Sequence, residues 1–223
     1  MRSLPAALAI VLAALMACVT GASAQLQVVP DDDPDLARGW AAYQARDAHG
    51  ALAHFRRAAE RNERVAQFNL AVMLISGDGI AADPAQGLVW LRRAADNGLA
   101  RAQYSLGVLL EQGRLLPRSL AEATAWYEKA ANQGWRDAQL SVATQYYLGR
   151  GAPLDYAAAA YWYERAAEQG DTGAAYILAS MYEHGDGVPR DHGSALRWYV
   201  EASAGGEPAA RIKAEELRAR QGR

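Results

Sequence analysis

Four tryptophans recur at an interval of 36 residues, and this spacing constrains the fold more than any other feature of the sequence. The chain contains only six tryptophans, so the alignment of four of them by chance would be rare. A fixed period of this length is typical of arrays of small structural units. The sequence therefore predicts four copies of one unit, marked by Trp90, Trp126, Trp162 and Trp198, which we expect to fill the joints between neighbouring helices.

Other residue types repeat in the same register. Alanines open the units, aliphatic and small residues follow, and glycine stands at two later positions. The columns are Ala66, Ala102, Ala138 and Ala174; Leu70, Leu106, Val142 and Leu178; Ala71, Gly107, Ala143 and Ala179; Gly77, Gly113, Gly149 and Gly185; and Gly98, Gly134, Gly170 and Gly206. Between the opening alanine and the first glycine, the spacing of apolar residues predicts an amphipathic helix. The first glycine suits the left-handed residue that ends a helix.

A second helix follows in each unit after a short loop. Its predicted N-cap residues carry side-chain oxygens that can accept hydrogen bonds from free backbone amides, and they are Asp83, Ser119, Asp155 and Asp191. Pro84 lies at the first helical position, where proline is favoured. One such hairpin cannot bury its own apolar face, whereas stacked copies can. The sequence thus predicts an all-α protein, a right-handed α–α superhelix (solenoid) of helix–turn–helix repeats.

The fourth unit carries the most complete motif. It contains Leu178-Ala179, Tyr182, Gly185-Asp186-Gly187-Val188-Pro189-Arg190-Asp191, Ala195, Trp198 and Ala202. This pattern resembles the Sel-one-like repeat family, whose members are relatives of the tetratricopeptide repeat. The second unit departs from it at Leu115, where the second loop glycine belongs, and at Ser119, and the first unit has Gly87 in place of the helix alanine. We expect these departures to alter one loop and weaken one helix.

The repeats and their flanks predict the organisation of the whole chain. The segment before the array resembles a shorter tetratricopeptide-type hairpin, and the segment after it is polar, with Ile212 and Leu217 as apolar contacts. The run Asp31-Asp32-Asp33 is interpreted as a solvated spacer. The predicted segments are a signal peptide (1–24), an extended acidic tether (25–36), a capping hairpin (37–65), repeats (66–101, 102–137, 138–173 and 174–209) and a polar capping helix (210–223).

The first residues predict export. Arg2 precedes an apolar run that ends in Ala22-Ser23-Ala24, and this order is typical of a secretory signal cleaved after Ala24. Cleavage there would remove Cys18, the only cysteine. In the alternative, Leu15-Met16-Ala17-Cys18 acts as a lipobox and Cys18 becomes a lipidated N-terminus. We expect a periplasmic protein with no transmembrane segment after processing; an outer-membrane lipoprotein and a secreted protein are the alternatives.

Charge and motif content argue against several function classes. The chain has 23 basic and 25 acidic residues, so it lacks the basic excess that marks nucleic-acid binding. The sequence contains no recognisable nucleophile–base motif and no phosphate-binding glycine loop with lysine, so we predict no catalytic site and no cofactor. His184, Asp186, Asp191 and His192 could together ligate zinc, but an N-cap and a turn account for them better. We therefore predict no metal site.

The resemblance to tetratricopeptide units implies that the first helices line the concave side of the solenoid. The positions expected to face a partner form three columns: Phe68, Tyr104, Leu140 and Tyr176; Val72, Val108, Thr144 and Ser180; and Ile75, Glu111, Tyr147 and Glu183. Exposed aromatic and aliphatic side chains rimmed by polar groups suit a peptide or a helix of a partner protein. In the alternative, the first column packs between adjacent repeats.

Three function classes remain open. The family resemblance implies a non-enzymatic scaffold that binds a partner protein in the bacterial cell envelope, and we expect it to be a monomer. Some cysteine-rich members of the family are linked to weak β-lactam binding or hydrolysis, but a chain cleaved after Ala24 would lack cysteine. A secreted factor that acts on a host is the third class, which the signal permits.

Overall fold

The computed structural model describes residues 33–221, and within this range the chain forms eleven α-helices and no β-strand. The helices are α1 (Pro34–Gln44), α2 (Ala48–Glu60), α3 (Arg64–Ser76), α4 (Pro84–Asp96), α5 (Ala100–Gln112), α6 (Leu120–Asn132), α7 (Arg136–Leu148), α8 (Tyr156–Glu168), α9 (Thr172–His184), α10 (His192–Ala204) and α11 (Pro208–Gln221). The predicted all-α class is confirmed. The predicted signal peptide, with Cys18, lies outside the described residues. Within them, none of the helices has both the length and the apolar character needed to cross a membrane.

The chain divides into two compact units, whose boundary lies between Leu106 and Gly107 inside α5. In unit 1, which ends at Leu106, α1 packs on α2, α2 on α3 and α3 on α4. In unit 2, which begins at Gly107, the same order holds from α6 on α7 through to α10 on α11. Each unit is therefore a series of helices packed in chain order, as the repeat pattern predicts.

The first helix of each repeat begins two residues before the predicted opening alanine, at positions 64, 100, 136 and 172. The alanines themselves lie inside these helices and are fully buried. At the start of the described chain, α1 begins at Pro34, because Asp33 accepts a hydrogen bond from the Asp35 N–H and proline suits the first helical position. The prediction of an extended tether is therefore wrong for residues 34–36.

The predicted N-caps of the second helices are confirmed. Each cap side chain accepts a hydrogen bond of 2.9–3.4 Å from a backbone N–H of the first helical turn, and the caps are Asp83 on α4, Ser119 on α6, Asp155 on α8 and Asp191 on α10. Pro84 occupies the first turn of α4, as expected. These side chains satisfy amides that a helix leaves unpaired at its start. They fix where each second helix begins.

Leu115 adopts a backbone conformation that leucine disfavours. Its φ is 62°, and the glycines at the equivalent loop position, Gly79, Gly151 and Gly187, have φ of 71°, 78° and 71°. The second repeat therefore retains the left-handed turn although the glycine is missing. A left-handed conformation costs a residue with a side chain roughly 1–2 kcal/mol. The loop expected to be altered at Leu115 therefore keeps the same left-handed turn as the other repeats, with a strained residue in it.

The tryptophan column is largely buried. Trp90 and Trp162 are 9% exposed and Trp198 is 8% exposed, whereas Trp126 is half-buried. The residue after each tryptophan lies deeper, since Leu91, Tyr127, Tyr163 and Tyr199 are at most 1% exposed. Tryptophan therefore marks the period of the sequence, but the neighbouring column contributes the most deeply buried large side chains of the second helices.

Buried glutamines join three of the first helices, α3, α5 and α7, to the helix before each of them. The side-chain Nε2 of Gln67 donates to the Ala59 carbonyl at 3.2 Å, and Gln103 donates to Ala95 at 3.0 Å. In unit 2, Gln139 makes the same bond to the Ala131 carbonyl at 3.3 Å. Each of these carbonyls also accepts a backbone N–H, from Asn62, Gly98 or Gly134, so the glutamine amide uses the second acceptor position of the oxygen. The buried amide group thereby gains a partner of its own.

The helix α11 packs through a narrow apolar stripe. Ala210, Ala214 and Leu217 are buried, and their spacing of four and three residues places them on one side of the helix. Ile212 is 54% exposed. The prediction that Leu217 is an apolar contact is confirmed, and the same prediction for Ile212 is wrong because Ile212 lies off this stripe.

We expect the substitution Leu115→Gly to stabilise the protein by about 0.5–1 kcal/mol, because relief of the left-handed strain exceeds the added entropy of glycine in the unfolded chain. Urea unfolding followed by circular dichroism measures the change. The matched control is Leu154→Gly, at a loop leucine that is 58% exposed and does not have positive φ. This control should lose stability, and a loss in Leu115→Gly would show that the leucine is not strained.

We expect Trp162→Ala to lower the free energy of unfolding by roughly 3–5 kcal/mol, because it removes a large buried ring and leaves a cavity. The adjacent Tyr161 is 51% exposed, and Tyr161→Ala should cost less than about 1 kcal/mol. Both variants are compared by thermal and denaturant unfolding. Equal losses in the two variants would contradict a core role for the indole.

Candidate functional site

The predicted partner-facing residues divide into a half-buried set and a buried set. The half-buried residues, which retain some solvent contact, are Val72, Tyr104, Val108, Leu140, Tyr147 and Tyr176, with Thr144 and Ser180. Phe68 is 1% exposed and Ile75 is 2% exposed. These two residues belong to the core, so the prediction that they face a partner is wrong. For Phe68, the alternative of packing inside the array is the one observed.

Local packing explains the burial of Phe68 and Ile75. A side-chain carbon built at Gly87 would lie 2.6 Å from Cγ1 of Ile75, so the glycine of α4 makes room for the isoleucine of α3. The guanidinium of Arg101 lies 5.8 Å from the centre of the Phe68 ring and covers it. The glycine that departs from the family pattern is therefore matched to the residue opposite it.

Two carboxylates of the predicted third column bind tyrosines of the second helices. The Tyr127 hydroxyl donates to Oε2 of Glu111 at 2.7 Å, and the Tyr199 hydroxyl donates to Oε2 of Glu183 at 2.9 Å. Burial, together with the adjacent Glu183, raises the pKa of Tyr199 above its ordinary value. The second oxygen of each carboxylate also has a partner, from Gln145 at 2.8 Å on Glu111 and from Arg220 at 3.6 Å on Glu183. Both glutamates thus hold helices together within unit 2.

An apolar patch lies at the end of α7 in unit 2. Tyr147 contacts the rings of Tyr156 and Tyr163, with ring centres 5.3 and 6.1 Å apart. Beside it, Leu148 is 49% exposed, Leu154 is 58% exposed and Tyr156 is 39% exposed. We call Tyr147, Leu148, Leu154 and Tyr156 the tyrosine–leucine patch. Clustered exposed aromatic and aliphatic side chains are typical of protein-binding surfaces.

Unit 1 contains a pocket between α1, α2 and α3. Its empty space, counted with the part open to solvent, is about 430 Å³. The lining residues are Trp40, Tyr43, Phe55, Asn69, Val72, Met73, Ser76 and Asp78. Of these, only Val72 was among the residues predicted to face a partner.

Aromatic rings form one wall of the pocket. Trp40 packs edge-on against Tyr43 and against Phe55, with ring centres 5.9 and 6.0 Å apart and ring planes at 86° and 83°. The Tyr43 hydroxyl donates to Oδ2 of Asp78 at 2.9 Å. Burial and this carboxylate raise the pKa of Tyr43, so the phenol remains a hydrogen-bond donor at neutral pH. The rim of the pocket therefore carries a negative charge next to aromatic faces.

Asn69 brings a buried amide to the pocket. The side chain is 9% exposed, and its Nδ2 atom has no hydrogen-bond partner. The equivalent residues of the next two repeats are Ser105 and Ser141, whose hydroxyls donate to carbonyls of their own helices at 2.8 and 2.9 Å. The asparagine at a position where the next two repeats have serine and the fourth has Ile177 was the signal in the sequence that could have pointed to the pocket.

An ionic cluster holds α1, and with it Trp40 and Tyr43, against α2. The side chain of Asp35 accepts hydrogen bonds from Arg57 and Arg61 at 2.8–3.2 Å and lies 2.8 Å from Nδ1 of His54. These partners, first of all Arg57, hold the pKa of Asp35 well below its usual range. Asp33 also pairs with Arg61, at 2.7 Å, and is therefore not part of a solvated spacer.

The histidines and aspartates around the loop before α10 make local contacts. Asp191 caps α10, His184 Nδ1 lies 2.9 Å from the Ser180 carbonyl, and His192 pairs with Arg190. Between residues 33 and 221 there is no group of three or more histidine, cysteine, aspartate or glutamate side chains placed to hold a metal ion.

Comparison with known proteins places these features in a family. The family model for the Sel1 repeat matches five segments, residues 36–63, 64–99, 100–135, 136–171 and 172–207. The first segment is the hairpin predicted to be a tetratricopeptide-type cap, and it matches as a repeat in its own right. No curated protein sequence matches the chain significantly.

Two solved structures are similar in fold and sequence. One is a protective antigen of uropathogenic Escherichia coli strains with an SLR fold, at 33% identity and a TM-score of 0.73 over 82% of this chain. This chain spans only 40% of the length of that antigen. The other is a Sel1 repeat protein from Oxalobacter formigenes, at 29% identity and a TM-score of 0.73 over 80% of this chain and 73% of that protein. With its repeats matched over residues 36–207, the chain belongs to the Sel1 repeat family.

Proposed function

We propose that this protein is a non-enzymatic scaffold of the bacterial cell envelope, which binds a peptide or a helix of a partner protein on the surface of its first helices. Sel1-repeat proteins generally act as scaffolds for protein–protein interaction, and the family is typically non-catalytic. For this chain, the proposal adds two elements to that general role, a binding surface and a location in the cell envelope. Each has its own support and its own test.

The observation that carries the binding surface is the exposure of neutral side chains on the first helices. Tyr104 in unit 1, and Leu140 and Tyr176 in unit 2, remain half-buried although they lie two residues after the fully buried alanines of the same helices. The carboxylates Glu111 and Glu183 are engaged by tyrosines, so they do not dominate this surface. Tyrosine and leucine side chains that keep solvent contact offer apolar area together with hydroxyl hydrogen bonds, which suits a protein ligand.

The sequence of the first residues supports a location in the cell envelope. Arg2, the apolar run after it and Ala22-Ser23-Ala24 follow the order of an export signal. Cleavage after Ala24 would leave Gln25 as the first residue and release a soluble periplasmic protein. Cys18 gives the competing route, in which the protein would remain lipid-anchored.

We expect Tyr104→Ala and Tyr176→Ala each to reduce capture of the partner in intact bacteria by roughly five- to tenfold, because a buried aromatic contact at an interface contributes more than about 1 kcal/mol. Partners are captured by crosslinking and identified by mass spectrometry. The control is Tyr161→Ala, which removes an exposed tyrosine from a second helix. Unchanged capture in both first-helix variants, with helicity intact, would exclude this surface.

We expect the intact mass of the exported protein to correspond to a chain that begins at Gln25. The substitution Cys18→Ala should leave both the mass and the export unchanged, since the cysteine would be removed with the signal. Mass spectrometry of the periplasmic and membrane fractions measures this outcome. A mass that includes a diacylglyceryl-modified Cys18, lost in Cys18→Ala, would show that the protein is a lipoprotein.

A further inference from the structure

The pocket of unit 1 contains a polar group that the fold does not satisfy. Nδ2 of Asn69 is buried and has no hydrogen-bond partner, and Asn69 lines the pocket with Val72 and Met73. Nearly all buried donors in folded proteins are paired, because an unpaired one loses its bonds to water without replacement. Because Asn69 is a lining residue of the pocket, a rotation of its side chain would bring this donor to an acceptor that enters with a ligand.

An unpaired side-chain amide at this position occurs only in the first 36-residue repeat, since the next two repeats have serine and the fourth has Ile177. Ser105 and Ser141, at the equivalent positions, satisfy their hydroxyls on carbonyls of their own helices. A serine would do the same on α3, whereas the longer asparagine side chain extends to the pocket. The acceptor that best matches a side-chain amide is the carbonyl of another amide, such as a peptide backbone.

The charge of the pocket selects the side chain that enters it. Among the described residues that line the pocket, Asp78 is the only charged one. Tyr43 donates to Oδ2 of Asp78, which leaves Oδ1 for a further donor. The rings of Trp40 and Tyr43, which line the same pocket as Asp78, lie nearly perpendicular to each other, and aromatic faces attract cations. A positively charged group on an aliphatic chain complements the Asp78 carboxylate, the aromatic rings and the apolar lining of the pocket.

We propose that this pocket binds a lysine or arginine side chain of a partner peptide. The aliphatic part of that side chain packs on Val72, Met73 and the Trp40 ring, and its charged end pairs with Asp78. The Asn69 amide donates to a backbone carbonyl of the same peptide. The inference rests on the proposed scaffold function and names the class of partner, a peptide segment with an exposed basic residue.

The position of the pocket favours a single side chain over a larger occupant. The space of about 430 Å³ includes the part open to solvent, so the enclosed part is smaller and lies between three helices. A folded domain could not enter such a space, whereas one long side chain presented by an extended segment could. The apolar stem of lysine or arginine can pack on hydrophobic residues while its charge stays at the rim.

Titration of the full-length protein with capped tripeptides tests the proposal. The probes are Ac-Ala-Arg-Ala-NH2, Ac-Ala-Lys-Ala-NH2, and the same peptide with norleucine or glutamate at the centre, each up to about 10 mM. The Trp40 indole and the Asn69 side-chain amide are followed by NMR. We expect the arginine and lysine peptides to shift both signals with at least a three- to tenfold lower Kd than the norleucine peptide, and the glutamate peptide to shift neither. The preference should weaken with added salt, because Asp78 is exposed.

Variants separate binding from stability. Asp78→Asn should abolish the preference for basic peptides over the norleucine peptide, while the exposed Asp96→Asn, on α4 of the same unit, should leave it unchanged. Asn69→Leu should raise Tm, since it removes a buried unpaired amide, and should weaken binding of the arginine peptide at least threefold. A lower Tm in Asn69→Leu would indicate that the amide supports the fold, and would overturn its role as a ligand-binding donor.

Other outcomes overturn the proposal. Equal Kd values for the norleucine and arginine peptides, or no shift with any peptide, would exclude a basic side chain as the occupant. If the Trp40 and Asn69 signals shift with protein concentration in the absence of peptide, the occupant is a second copy of the chain. If the substitutions Val28→Ser and Val29→Ser shift these signals, the occupant is the segment of the chain that precedes α1. If none of the peptides binds but Tyr104→Ala and Tyr176→Ala still reduce capture of the partner, the scaffold function stands and only the partner class is wrong.

Discussion

Close contact between successive helices is the constraint on which the rest of this structure depends. A single hairpin cannot shield its apolar face, so each must pack on the next, and fully buried alanines allow that close approach. The alanines are Ala66, Ala102, Ala138 and Ala174 on the first helices, and Ala94, Ala130, Ala166 and Ala202 on the second. Large rings then fill the remaining space, with Tyr163 and Tyr199 almost completely buried. Small and large residues therefore have separate, periodic roles.

Polar side chains add specificity to this packing. The glutamines Gln67, Gln103 and Gln139 each bond to a carbonyl eight residues earlier, which fixes the position of a first helix relative to the helix before it. Glu111 and Glu183 receive tyrosine hydroxyls from second helices. Because these groups are engaged in structural bonds, neutral side chains such as Tyr104, Leu140 and Tyr176 keep solvent contact along the middle of the first helices, while charged residues such as Arg64 and Arg136 lie at the helix starts. The features that hold the repeats in register thus also determine the chemistry of the surface.

The period, the helix pairs and the second-helix N-caps could be predicted from the sequence, because each depends on residues close together in the chain. The depth to which individual side chains are buried could not be predicted in this way. Phe68 and Ile75 have the same helical phase as Tyr104 and Glu111, but Arg101 covers the first and Gly87 makes room for the second. The pocket was missed for the same reason, since Trp40 and Asn69 are brought together by packing between helices. Contacts between helices are not encoded in the periodicity of any one of them.

The ionic cluster at the start of α1 has a consequence for the behaviour of the protein in acid. The carboxylate of Asp35, with its pKa held below the usual range, contributes stability that is complete above about pH 4 and is lost as the pH falls through its lowered value. Protonation of Asp35 would then remove the carboxylate partner of Arg57 and leave Arg61 with Asp33 alone. Strong acid should therefore release the first hairpin before the alanine-packed remainder, so that the chain would melt from its amino-terminal end.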